Sequence, residues 1–254
     1  AYWLNKHKIE SSYNLYELEK NELKLFLKSL KKNNIKGLNV TIPYKTEVIK
    51  YLDYIAPEAS DLGAVNTIKV GKNNKLYGFN TDTYGFIQHL NKSAPAWKEK
   101  TGGVSIIGAG GASRAIIWSL LKEKKTNIRL YNRSKKKAQI VIEDMKKLFP
   151  KSNIIFCAEL QEVLLDSSIL INCSSLGMKG QQKLEINLEV MNRNSIVYDI
   201  VYSPLITELL FNAKNDSILL FSDKAIGFST NGSFHFDTST SNENKFVVNS
   251  PNIY

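Results

Sequence analysis

Two cysteines in 254 residues are too few for a disulfide framework or a cysteine-rich metal site. The apolar neighbours of Cys157 and Cys173 point instead to buried thiols. Histidine is as scarce, and His7, His89 and His235 lie far apart, so no metal site is expected. No run approaches the roughly 18 consecutive apolar residues of a membrane span, and the start, Ala1-Tyr2-Trp3-Leu4-Asn5-Lys6-His7, lacks the apolar core of a secretory signal. The expectation is a cytoplasmic chain without membrane contact. Acidic residues are outnumbered, 24 against 34 Lys and Arg, for a net charge of +10. That excess runs through the whole chain as Lys- and Asn-rich usage, which argues for compositional bias and against a nucleic-acid partner. A phosphate-bearing cofactor and an acidic substrate would both gain from the field. With 43% hydrophobic residues the chain can bury a sizeable core and form two domains of ordinary size.

The stretch from Gly103 to Ser134 organises the rest. A short apolar strand (Val104 to Ile107) leads into the glycine turn Gly108-Ala109-Gly110-Gly111-Ala112, a helix, and a second strand (Ile128 to Tyr131) ending in Asn132-Arg133-Ser134. Glycines at a strand end permit a tight turn and let backbone N–H groups approach a phosphate, which the following helix N-terminus favours. Ser113 takes the third glycine position of the dinucleotide fingerprint, so the turn alone is a weak signal; the flanking strand, helix and second strand strengthen it against a merely structural turn. An NAD site usually places Asp or Glu at the end of the second strand. Here Asn132, Arg133, Ser134 and then Lys135-Lys136-Lys137 would welcome a 2′-phosphate, which points to NADP. Lys135 and Lys136 read as a solvated face, whereas Arg133 and Lys137 are assigned to the cofactor.

Upstream, Ala1 to Ser12 holds an amphipathic helical fragment that starts without Met or a preceding strand, so a missing upstream segment is expected. A strand is expected over Tyr13 to Glu17, and Leu23, Phe26, Leu27 and Leu30 mark one face of a helix. Gly37 to Lys45 is a β-rich run that Pro43 stops, gathering Thr41 and Lys45 at a strand end. Val48, Tyr51, Leu52 and Ile55 suggest a helix closed by Pro57. Two strands (Ala64 to Val70, Lys75 to Asn80) then deliver Asn80-Thr81-Asp82 to a helix carrying Phe86, Ile87 and Leu90. Each polar residue has a plain reading: Asp82 as a helix cap, Lys45 as a surface lysine, Asn66 as a turn former. Their recurrence at element ends beside a nucleotide domain favours a site. Asn91 to Thr101, with Pro95, reads as the linker between domains, and a cleft there would place the nicotinamide against the substrate. Downstream, apolar strands (Ser168 to Asn172, Ser195 to Tyr202) suit a buried parallel sheet.

Asn39-Val40-Thr41-Ile42-Pro43-Tyr44-Lys45, Gly63-Ala64-Val65-Asn66-Thr67, Gly78-Phe79-Asn80-Thr81-Asp82, Gly108 to Ala115, Asn132-Arg133-Ser134 and Tyr198 to Pro204 with Thr207 resemble the signatures of the shikimate dehydrogenases, in register from about Trp3 to Ala213. The resemblance implies NADPH-dependent, reversible reduction of 3-dehydroshikimate to shikimate in aromatic amino-acid synthesis. It assigns proton transfer to Lys45, a substrate hydroxyl and the lysine to Asp82, and further substrate contacts to Thr41, Asn66 and Tyr202. Cys173 to Met178 is similar to the family's segment beside the nicotinamide, which adds Met178 and, from the next strand, Ile200 to the cofactor residues.

Two family motifs are missing: an opening strand with a Ser-x-Ser loop for the substrate carboxylate, and a closing helix with Gln. Hydrogen bonds to such a carboxylate are worth about 1.5–3 kcal/mol each, and a sheet without its first strand is expected to expose an edge. Half of residues 229–254 are Ser, Thr or Asn, with Lys245 the single Lys or Arg, so the tail from Gly232 reads as loop or disorder apart from weak strand potential at Phe246 to Val248. The expected architecture is α/β: an N-terminal open α/β substrate domain (1–95), a Rossmann-type dinucleotide-binding domain (96–228) and an atypical polar tail (229–254), as monomer or homodimer. The rivals are a quinate/shikimate dehydrogenase, which Arg133 argues against, and a truncated, non-catalytic remnant that binds nucleotide.

Overall fold

Strands and helices alternate because the spacing of apolar residues changes along the chain, from the i, i+3, i+4 pattern of Leu23, Phe26 and Leu27 to the continuous run Ile169–Ile171. The computed structural model describes residues 4, 7–41, 43–215, 219–222 and 244–249. It folds as two compact units, residues 1–81 with 233–254, and residues 82–232. Of the helical fragment expected over Ala1 to Ser12, residues 1–3, 5 and 6 lie outside the described residues, His7 and Lys8 form a turn, and Ser11 and Ser12 already belong to β1.

In the first unit, β1 (Ser11–Leu15), α1 (Leu23–Ser29) and β2 (Ile35–Val40) precede a 3₁₀ turn (Val48–Tyr51), the short β3 (Tyr54–Ile55), α2 (Pro57–Leu62), β4 (Thr67–Val70) and β5 (Leu76–Phe79). β4 runs antiparallel to β2 and β5, and β3 lies parallel to β5. Leu23, Leu27, Leu30, Leu38, Val48 and Ile68 form its core, each worth about 1.5–3 kcal/mol on full burial. The helix expected over Val48 to Ile55 is only the 3₁₀ turn, because Leu52 leaves it in extended backbone (φ −95°, ψ 143°). Pro57, expected to close that helix, opens α2 instead. A proline lacks only an N–H that a first helical turn leaves unbonded in any case.

The second unit holds α3 (Asp82–Ser93), a 3₁₀ turn (Pro95–Glu99), β6 (Gly103–Ile107), α4 (Gly111–Lys122), β7 (Asn127–Tyr131), α5 (Lys135–Leu148), β8 (Asn153–Cys157), a 3₁₀ turn (Gln161–Leu164), β9 (Ser167–Asn172), β10 (Ile196–Asp199), α6 (Glu208–Asn215) and β11 (Leu219–Ser222). Its strands form one parallel sheet in the order β11-β10-β9-β6-β7-β8. β6 has β7 on one side and β9 on the other, which makes the end of β6 the switch point where such sheets bind ligands. Two features differ from the expected boundary at 95. α3 belongs to this unit, with Phe86 and Leu90 in one core with Ile116, Ile117 and Leu120. The stretch read as a linker packs too: Trp97 is fully buried and donates its indole N–H to Asn91 Oδ1 at 2.8 Å. Both cysteines are buried, as their settings suggested.

The last strand, β12 (Asn244–Asn249), returns to the first unit and lies parallel between β1 and β2. Phe246 pairs with Tyr13 on one side and Gly37 on the other, so the first sheet runs β1-β12-β2-β4-β5-β3. The strand is longer than the weak potential at Phe246 to Val248 suggested, and it fills the place between β1 and β2 in a sheet that was expected to expose an edge. The rest of the tail lies outside the described residues. In hydrogen–deuterium exchange on the full chain, the amides of residues 245–249 should therefore exchange as slowly as those of β2. Exchange at the rate of a free peptide would remove the strand from the sheet. Among the described residues, no helix is long and apolar enough to cross a membrane.

Candidate functional site

The glycine turn of the second unit is built by three different constraints. Gly108 sits at φ +107°, and a Cβ there would stand 2.9 Å from the backbone carbon and oxygen of Cys173, so only glycine fits. Its N–H donates to the carbonyl of Tyr131 at 2.8 Å, tying the turn to the end of β7. Gly110 faces open space, with nothing within 4 Å of a built Cβ. α4 starts at Gly111 with no side-chain cap and no acidic residue in its first turn, which leaves the backbone N–H groups of Gly111 and Ala112 suited to an anion. Ser113, in the place of a third glycine, is fully buried and donates its hydroxyl to the Gly110 carbonyl at 2.7 Å. Ala109 is held from behind, its N–H donating to Asn132 Oδ1 at 3.1 Å.

Asn132 therefore buttresses the turn, and its amide also donates to the Ser134 carbonyl at 2.9 Å. Ser134 caps α5, accepting from the Lys137 N–H. Arg133 and Lys137 are exposed at this strand end, with no Asp or Glu between Tyr131 and Ile142. The neighbouring cation Arg114 is committed elsewhere, to Asp144 at 2.8 Å. These residues fit a phosphorylated dinucleotide: an anion-favouring helix start, then a cationic strand end with no opposing carboxylate.

At the carboxyl ends of β9 and β10, Met178 and Ile200 are half-buried and Tyr202 is exposed, on two loops joined by the bond from Lys179 N–H to the Ser203 carbonyl at 2.8 Å. Between them lies Asp199, fully buried. Its Oδ1 accepts from Asn172 Nδ2 and from the Val201 N–H, both at 3.0 Å, and its Oδ2 accepts from the Thr207 hydroxyl at 2.6 Å. Burial pushes its pKa up to about 6, against the pull of those three donors. Asn172 in turn donates to the Leu176 carbonyl and accepts from both the N–H and the hydroxyl of Ser174. Sequence reading gave none of Asn172, Asp199 and Thr207 a role; the Asn172-Cys173-Ser174-Ser175 run at the end of β9 was the available signal.

In the first unit, Thr41, Lys45 and Asn66 gather where β2 ends. The turn is fixed by the Tyr44 N–H donating to the Thr41 carbonyl at 2.9 Å, and Lys45 accepts at its own carbonyl from the Val65 N–H at 2.7 Å. Lys45 and Thr41 are half-buried. Asn66 is buried, and its Oδ1 accepts from the Thr81 N–H at 3.0 Å while its Nδ2 donates to the Thr81 hydroxyl at 3.1 Å. Asn80 donates to the Ala64 carbonyl at 3.0 Å, binding the same two segments. Thr81 and Asn80 are thus the supports that sequence reading missed. Asp82 opens α3 and is buried, a placement that a helix N-terminus also favours. Among the described residues, no group of three His, Cys, Asp or Glu could hold a metal.

Residues 1–68 match the family model of the shikimate dehydrogenase substrate binding domain, and residues 90–201 match that of shikimate / quinate 5-dehydrogenase. A protein of Paramagnetospirillum magneticum named shikimate dehydrogenase (NADP(+)) is 36% identical over 213 residues, 84% of this chain and 76% of that protein. The crystal structure of shikimate dehydrogenase from Aquifex aeolicus is similar at a TM-score of 0.76 and 33% identity, covering 88% of this chain and 79% of that one. That of the Thermus thermophilus enzyme in complex with NADP(H) and shikimate gives 0.73 and 27%, covering 86% and 78%. With both family models matched in order along the chain and a relative 36% identical over 213 residues, the chain belongs to the shikimate dehydrogenase family.

Proposed function

We propose that this chain is an NADP-dependent shikimate dehydrogenase, which reduces 3-dehydroshikimate reversibly to shikimate in the route to chorismate and the aromatic amino acids. One observation carries the reading: a relative 36% identical over most of the chain is a shikimate dehydrogenase (NADP(+)), and the residues such chemistry needs are present here. Gly110, Gly111 and Ala112 would hold the pyrophosphate on the N-terminus of α4, and Arg133, Ser134 and Lys137 the 2′-phosphate. Met178 and Ile200 would flank the nicotinamide. The bound cofactor supplies the hydride.

The rest falls to side chains of this chain. A ketone that accepts a hydride becomes an alkoxide, which needs one proton and a nearby positive charge; the Lys45 ammonium provides both. Asp82 accepts a hydrogen bond from a substrate hydroxyl and so orients the ring. Thr41, Asn66 and Tyr202 offer the remaining polar contacts. Asn66 is suited to this because its bonds to Thr81 fix the direction of its amide.

Shikimate-dependent formation of NADPH, followed by absorbance, tests the reading on the full chain. NADP binding without turnover would select the non-catalytic remnant instead. A Arg133→Ala/Lys137→Ala double variant should raise KM for NADP by about tenfold or more, the worth of a lost charge-assisted phosphate contact, and leave KM for NAD unchanged. Equal effects on both cofactors would place the 2′-phosphate elsewhere and reopen the quinate/shikimate alternative.

A further inference from the structure

We propose that the Asp199 carboxylate is a positioning residue that locks the loops after β9 and β10 into one wall for the reactive half of the dinucleotide. The inference rests on the proposed NADP function, and the sheet order gives it a place. With the pyrophosphate on the turn after β6 and the adenosine side at the end of β7, the other half of the molecule extends across the switch point toward β9 and β10.

What holds that side together converges on one carboxylate. Asn172 comes from the end of β9, Val201 from the loop after β10, and Thr207 from the start of α6, where its hydroxyl also accepts from the Leu210 N–H at 3.4 Å. Asn172 passes the constraint to Ser174 and Leu176. Gly177, at φ +85°, lies against Thr207, whose side chain would stand 3.6 Å from a Cβ built there. Asp199 thus reaches both the loop carrying Met178 and the loop carrying Ile200 and Tyr202. It is also an expensive way to fill a core: burial disfavours the ionised form, so an apolar residue would be the choice if only packing mattered. A charge held there against desolvation, with its acceptor sites spread over three segments, fixes geometry.

The test separates the two halves of the cofactor. In Asp199→Ala, KM for NADP should rise and kcat fall, together costing about a hundredfold in kcat/KM as two or more charge-assisted bonds are lost. Binding of 2′,5′-adenosine diphosphate, which carries the adenosine side and one phosphate of the pyrophosphate but nothing of the nicotinamide half, should stay at the wild-type value. Asp199→Asn should recover most of the loss, since its amide oxygen can still accept from Asn172 and Val201. If Asp199→Ala does not fold, Thr207→Val removes one of the three bonds to the carboxylate, together with the long bond from the Leu210 N–H, and should show the same pattern on a smaller scale. Loss of the diphosphate together with NADP would mean that the domain has collapsed, and wild-type kcat/KM in the alanine variant would mean that the loops need no lock; either overturns the inference. Failure of the wild-type protein to bind the diphosphate at all would instead strike the NADP reading beneath it.

Discussion

Replacing Lys45 by methionine is expected to lower kcat for shikimate oxidation by about 10²- to 10⁴-fold, the usual contribution of a positioned general acid or base, or roughly 3 to 5 kcal/mol of barrier. Binding of NADP and of shikimate should stay within a few-fold of wild type. The separation is expected because main-chain bonds hold the turn that carries the lysine. The Lys45 main-chain carbonyl accepts from Val65, and the turn is closed through the main chain of Thr41 and Tyr44. Tyr44 is buried and its hydroxyl donates to the Leu18 carbonyl, anchoring the segment from the other side. Methionine keeps much of the aliphatic stem of a half-buried side chain, so packing changes little while the exchangeable proton is gone. The decisive measurement is kcat beside the two dissociation constants. Turnover near the wild-type rate would remove Lys45 from proton transfer, and equal losses in kcat and in shikimate affinity would make it a binding residue.

The nucleotide-binding half of the fold was largely legible in the sequence, and the reason is physical. A parallel sheet buried on both faces is written as unbroken apolar runs, Ile169–Ile171 and Ile196–Tyr198 among them, and its helices repeat their buried positions at a fixed period, as Ala138, Val141, Ile142 and Met145 do. The first unit was harder to read. Its sheet mixes parallel and antiparallel pairs, β3 has only two residues, and Pro57 carries opposite meanings before and after a helix boundary. Pairing of β12 with β1 and β2 joins segments at opposite ends of the chain, and no local pattern in a Ser-, Thr- and Asn-rich tail reports such a partner. Trp97 shows the same limit from the other side: Asn91 to Thr101, with Pro95, read as a linker, yet a bulky indole bonded to Asn91 made the stretch part of the core. The candidate site divides in the same way. Residue types that touch a ligand announce themselves by chemistry, as Lys45, Arg133 and Asp82 do. Residues that hold other residues, such as Thr81 behind Asn66 or Asp199 behind Asn172, become visible only when the hydrogen bonds are drawn.

Two glycines of one turn should respond to the same substitution in opposite ways. Gly108→Ala is expected to destabilise the second unit by roughly 3 kcal/mol or more, because the left-handed backbone costs an L-residue about 1–3 kcal/mol and the added methyl meets the main chain of Cys173, which cannot rotate aside. Moving that segment also disturbs Ser174 and the bonds that run from it to Asn172, so NADP affinity should fall with stability. Gly110 is extended (φ −102°, ψ −167°), a backbone open to any residue, and a Cβ there meets nothing. Gly110→Ala should therefore leave stability unchanged or raise it by about 0.4–1 kcal/mol through the unfolded chain, yet still weaken NADP, because its methyl occupies the space through which a phosphate reaches the N–H groups of Gly111 and Ala112. Denaturant unfolding beside NADP binding for the two variants decides the matter. Equal stability losses would show that the contact with Cys173 does not constrain the turn, and an unimpaired NADP affinity in Gly110→Ala would place the pyrophosphate away from the start of α4.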